Sequence, residues 1–126
     1  HQPAAWVNAS RQSASLEALG GRAVAGFCGL GNPDAFRCTL VAQGSQVIAW
    51  RTFPDHHAYT RDDIESLRTW ARELPANAFV ATTQKDLVKI RLDRLADKEL
   101  WALQIRLEVR LGREELERML SLVIGH

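Results

Sequence analysis

The chain has 126 residues, enough to bury a real core in one ordinary domain, and its 46% hydrophobic and 25% charged composition is that of a soluble globular protein. Sixteen basic residues against fifteen acidic ones leave a net charge of +1, which gives no reason to expect a nucleic-acid partner. No apolar run approaches the roughly 20 residues of a membrane span, and the start, HQPAAWVNAS, lacks the charged-then-apolar layout of a signal peptide.

Residues 1–20 are small and polar and end at Gly20-Gly21, so they read as a linker or arriving arm, with a short helix possible over Ser13 to Leu19. Residues 21–126 then read as one α/β lobe. Ala23 to Leu30 is a short apolar run rich in small residues, as expected of a strand covered on both faces. Gly29-Leu30-Gly31-Asn32-Pro33 follows as a tight turn into a helix, with Asn32 as N-cap, Pro33 at N1 and Gly44 as the stop. Gln46 to Thr52 is a second strand. After it comes FPDHHAYT, and Thr60 with Asp63 three residues on predicts a capping box opening a helix that Pro75 ends. Ala78 to Thr82 is a third strand, and Thr83 caps a short helix over Lys85 to Ile90. Arg91 to Lys98 reads as a charged loop. Trp101 to Leu111 alternates apolar and polar residues, which predicts an edge strand with one wet face, and a final helix starts at Arg113. The expected architecture is a small three-layer α/β/α domain with a mostly parallel sheet of three to four strands.

Cys28 and Cys38 lie ten residues apart in apolar surroundings without a CxxC pair, so both are expected to be buried reduced thiols. The chain does not begin with Met, and its one Met is Met119. The expectation is a processed product or a fragment whose function is shared with residues elsewhere.

In parallel α/β sheets ligands gather where loops leave the carboxyl ends of the strands. Three loops qualify: Gly29–Pro33, Pro54–Thr60 and Thr82–Asp86. The second concentrates the titratable chemistry, with Asp55, His56, His57 and Tyr59 in one short stretch. An imidazole exchanges protons near neutral pH, and a neighbouring carboxylate orients it. His56, next to Asp55, is the better candidate for a presented imidazole, and His57 reads as its solvent-side neighbour. A polar loop that merely caps a helix is a competing reading. So is a metal-dependent phosphoesterase, although a metal pair needs more acids than Asp34 and Asp86 add. Gly29, Gly31 and Asn32 can turn backbone N–H groups toward an anion at a helix start, and Lys85 can meet a phosphate. However, Asp34 stands where a dinucleotide fingerprint has its third glycine, and GxxxxGK[ST] does not occur. No zinc-ligand spacing or nucleophile elbow is present either, so no metal site is assigned.

Taken together, AGFCGLGNPDAF, FPDHHAYTRDDI and ATTQKDLVKI, in this order and spacing, resemble the C-terminal part of the tetraacyldisaccharide 4'-kinases, the lipid A 4'-kinases of Gram-negative bacteria. The similarity covers roughly residues 20–124. The resemblance implies an enzyme that transfers the γ-phosphate of ATP, with Mg2+, to the 4'-hydroxyl of tetraacyldisaccharide 1-phosphate at the cytoplasmic face of the inner membrane. It implies a separate N-terminal P-loop lobe that holds nucleotide, metal and a catalytic aspartate. It also implies that His56, from the Asp55-His56 motif, pairs with that aspartate. No cofactor is then expected to bind tightly to this chain alone. Gln84 stands where the family often has Glu, and no definite role carries over to Asp55, Lys85 or Asp86. The alternative is a stand-alone α/β module that binds a phosphorylated small molecule or nucleotide.

Overall fold

The computed structural model describes residues 2–106. In chain order the elements are β1 (Gln2–Val7), β2 (Ser13–Ala14), a 3-10 turn (Glu17–Leu19), β3 (Ala23–Cys28), α1 (Pro33–Ala42), β4 (Gln46–Thr52), α2 (Arg61–Arg72), β5 (Phe79–Thr83), α3 (Gln84–Ile90), β6 (Arg94–Leu95) and β7 (Lys98–Arg106). The strands form a seven-stranded sheet of order β2-β1-β7-β5-β3-β4, with β6 paired to β7. The β4, β3, β5 and β7 strands run parallel. β1 joins β7 antiparallel, with Gln2 opposite Arg106.

β3 sits inside this parallel set, and all six of its residues are buried. Because successive side chains in a strand point to opposite faces, two cores result. On one face Val24, Cys28, Phe79, Ala81 and Leu103 meet Phe36 and Leu40 of α1 together with Trp6. On the other, Phe27, Val80, Leu100 and Ala102 meet Leu67 and Ala71 of α2 and Leu87 and Ile90 of α3. Helices therefore cover both faces, as the alternation of strand and helix predicts. Local chemistry fixes where the helices begin. The Asn32 side chain accepts from Ala35 N–H, and Thr60 and Asp63 form the reciprocal capping box.

Several expectations need correction. The sheet has more strands than the three to four expected. β7 is not an edge strand, since it lies between β5 and β1. Its alternation misleads because Ala102 belongs to a second core rather than to a wet face, and Leu100 and Leu103 are buried on opposite sides. The stretch read as an arm supplies β1, whose Trp6 is 1% exposed and meets Phe79 edge-on at 5.2 Å. Residues 91–98, read as a loop, contain β6 in a hairpin with β7. Cys28 is buried as expected, but Cys38 is exposed on α1, and both are free thiols. The predicted final helix and the end of the long strand, from residue 107 on, lie outside the described residues.

One close approach sets the packing of α1. A Cβ on Gly26 would lie 2.4 Å from the Trp50 ring and 3.3 Å from a Leu40 methyl group. Trp50 in turn packs on Phe36 at 5.6 Å. Gly26→Ala is therefore expected to destabilise the fold by about 1–3 kcal/mol through overpacking. A lowered denaturant midpoint at unchanged m-value would register this, and an unchanged midpoint would show that Trp50 moves freely.

Candidate active site

The loops following β3, β4 and β5 meet at one end of the sheet, and one side chain ties them together. Asp86, in the first turn of α3, is fully buried. Its carboxylate accepts from Gly29 N–H at 3.2 and 3.3 Å, from the Tyr59 hydroxyl at 3.0 Å and from the Thr83 hydroxyl at 2.6 Å. A buried carboxylate is tolerable only when donors replace its water, and here each of the three loops provides one. Burial, reinforced by this carboxylate, holds the Tyr59 phenol protonated well above its ordinary range and pushes the Cys28 thiol up to about 11. The sequence reading treats Asp86 only as a possible extra ligand. Thr83 as N-cap with an acid three residues on was the signal for a capping interaction, but the tertiary partners were not legible.

The Phe53–Thr60 loop places its two imidazoles differently. His57 is not the solvent-side neighbour. Its ring stacks on Phe53 at 5.0 Å, stands edge-on to Tyr59 at 5.1 Å, and brings Nε2 to 2.8 Å from Asp63. Asp63 also accepts from Thr60 N–H, and that bond, with the His57 contact adding to it, holds its carboxyl below the usual range. His57 therefore locks the loop to the start of α2. His56 points outward, with 78% of its side chain exposed, and its backbone is left-handed at φ 60°. That conformation is uncommon outside glycine, though His tolerates it better than most. The Asp55 carboxylate accepts from His56 N–H at 3.0 Å and lies 3.6 Å from His56 Nε2.

Lys85 completes the cluster, with Nζ 3.5 Å from His56 Nδ1 and 3.8 Å from Asp55 Oδ1. An ammonium only donates, so a hydrogen bond from Lys85 to the ring requires the tautomer in which Nδ1 accepts. Lys89 donates to the His57 carbonyl at 3.0 Å and pins the same loop from below. The structure thus brings Asp55, His56 and Lys85 together. Gly29, Gly31 and Asn32 adjoin them, and the Gly29 N–H and the Asn32 side chain are already engaged. The Gly29 N–H goes to Asp86, a Cβ on Gly31 would lie 3.2 Å from Asp55 Oδ2, and the Asn32 side chain caps α1. Two carboxylates beside the glycine turn make it a poor cradle for a phosphate. Among the described residues no three carboxylate, imidazole or thiolate side chains converge on one point, so a divalent cation finds no ligand set there.

Comparison with known proteins gives this geometry a family. The family described as LpxK, tetraacyldisaccharide-1-P 4'-kinase, matches residues 1–124. The tetraacyldisaccharide 4'-kinase of Rhodopseudomonas palustris (strain BisA53) is 44% identical over 95 residues, covering 75% of this chain and 27% of its own. That of Anaeromyxobacter sp. (strain K) is 37% identical over 128 residues, covering 99% of this chain and 34% of its own. The crystal structure of "apo" form LpxK from Aquifex aeolicus, in complex with ATP, aligns at a TM-score of 0.62 and 26% identity, over 99% of this chain and 35% of that one. The chain spans about a third of the length of these relatives. With a rim built from the same three motifs that suggested it, the chain belongs to the tetraacyldisaccharide-1-P 4'-kinase family.

Proposed function

We propose that the chain is the C-terminal lobe of a kinase that transfers the γ-phosphate of ATP to the 4'-hydroxyl of tetraacyldisaccharide 1-phosphate in lipid A biosynthesis. The observation that carries this is the contrast between the two imidazoles. His57 is spent on the fold, while His56 is held outward on a strained backbone, with its ring oriented between Lys85 and Asp55. A side chain presented in this way awaits a partner from outside the chain. In this reading the partner is a carboxylate of an N-terminal P-loop lobe. His56 Nε2–H donates to it and orients it to take the proton of the attacking hydroxyl. Asp55 keeps the ring at the correct angle until the lobes close. Positioning and electrostatics dominate phosphoryl transfer, so a residue that arrives on closure suits the chemistry.

ATP and Mg2+ belong to the other lobe in this reading, because the Gly29 turn is occupied by Asp86 and no metal ligand set exists among the described residues. Action at the cytoplasmic face of the inner membrane goes with the lipid substrate. Among the described residues no helix is long and apolar enough to cross a membrane. Two measurements test the proposal. The full-length protein should phosphorylate tetraacyldisaccharide 1-phosphate with ATP. This chain alone should show no tight nucleotide binding by calorimetry, and tight binding would favour a stand-alone phosphate-binding module.

A further inference from the structure

Lys85 stands where helix chemistry disfavours it. It is the second residue of α3, and a cation in a first turn opposes the helix dipole. Its backbone is nonetheless fixed there, between the Thr83 cap and the buried Asp86. Its side chain reaches to the His56 loop and brings Nζ within 3.5 Å of the ring at Nδ1. Asp55 approaches the other ring nitrogen, with Oδ2 3.6 Å from Nε2. The two charges act in opposite senses. A carboxylate beside an imidazole favours the imidazolium, and an ammonium disfavours it. Among the described residues no other charged side chain forms a hydrogen bond or ion pair with this ring. Lys89 of α3 is bound to the His57 carbonyl, and Asp63 of α2 is bound to the His57 ring.

We propose that Lys85 is a positioning residue that keeps the His56 ring neutral, with its one proton on Nε2, as the other lobe closes over it. The inference rests on the kinase reading above. In that reading closure brings a second carboxylate to the ring, so Asp55 and the newcomer both favour an imidazolium. A carboxylate paired with an imidazolium is held in its ionised form and becomes a weak base. Facing a neutral Nε2–H, it keeps the basicity needed to take the proton of the attacking hydroxyl. The ammonium secures the neutral ring in two ways. Its hydrogen bond occupies the Nδ1 lone pair, where a second proton would go, and its charge opposes that proton's arrival. At 3.5 Å, even with water screening, one charge changes the imidazolium population about tenfold.

The test uses the full-length enzyme with Lys85→Met, which removes the charge but keeps a long side chain, and Lys85→Arg, which keeps the charge. In Lys85→Met the acid limb of the kcat–pH profile should move up by about one pH unit. Turnover below the limb should fall about tenfold and recover well above it. The KM values for ATP and for the acceptor should hold, and Lys85→Arg should leave the limb in place. Recovery at high pH separates a lost charge from a structural fault, which no pH repairs. A second readout needs no turnover. The NMR signal of the His56 ring, identified by its loss in His56→Asn, should titrate about one pH unit higher in Lys85→Met. Asp55→Asn, which keeps an acceptor for the His56 N–H, should move it the other way. A limb and a ring signal that stay in place in Lys85→Met, or a defect confined to KM, would overturn the inference. Absence of transfer by the unaltered full-length enzyme would instead sink the kinase reading itself, while the ring signal would still report the Lys85 charge separately.

Discussion

Replacing His56 by alanine in the full-length enzyme is expected to lower kcat by about 10²–10⁴-fold, the range for loss of a positioned proton-transfer group. Stability should barely change, because the ring is exposed and touches only Asp55 and Lys85 at long range. The left-handed backbone complicates alanine as a probe. His56→Asn resolves this, since asparagine tolerates that region and keeps the turn. Both variants should lose activity to a similar extent if the imidazole matters. Activity restored by asparagine would assign the defect to the turn, and near-normal turnover in both would remove His56 from the mechanism. His57→Ala gives the contrasting pattern: lower stability through loss of the Phe53 stack and the Asp63 bond.

The second large effect is expected at Asp86. Asp86→Ala orphans the Gly29 N–H, the Tyr59 hydroxyl and the Thr83 hydroxyl in one buried place. Unpaired buried donors cost about 1–3 kcal/mol each, and rotation of the hydroxyls recovers part of that, so a loss of about 3 kcal/mol is expected. Asp86→Asn keeps one carbonyl acceptor and should cost nearer 1 kcal/mol. Because Tyr59 shares a loop with His56, turnover should also fall, by about tenfold, in protein that remains folded. Denaturation curves and rates measured at a matched folded fraction separate the two losses. Wild-type stability in Asp86→Ala would show that the three loops hold their places without it.

Much of this was legible from local sequence. Small apolar runs marked β3 and β5, and the Asn32-Pro33 and Thr60–Asp63 signals placed two helix starts, because caps and turns depend on neighbouring residues. What stayed hidden depends on partners distant in sequence. Nothing near Gln2–Val7 announces that β7 lies beside it, and only that pairing turns Trp6 into core. The wet-face reading of β7 failed at Ala102, since a small residue fits a crowded interior as well as a surface. In the site, adjacency made His56 and His57 look alike. Their opposite roles follow from the direction each takes in the turn, which Phe53 and Asp63 decide for His57. The Asp86 hub joins residues as far apart as Gly29 and Tyr59, beyond the reach of any local pattern.

The pairing of Gln2 with Arg106 has a consequence for assembly. β7 runs parallel to β5 and β3, so its end at Arg106 lies at the same end of the sheet as the His56 loop. Gln2 and Arg106 thus lie about one strand spacing apart, roughly 5 Å, on that side. In the reading of the chain as one lobe of a kinase, a second lobe joined to it through β1 meets the rim as an intramolecular neighbour, at an effective concentration of about millimolar or more. A contact with His56 too weak to survive between separate molecules can then be well populated, and opening it to release a product costs little.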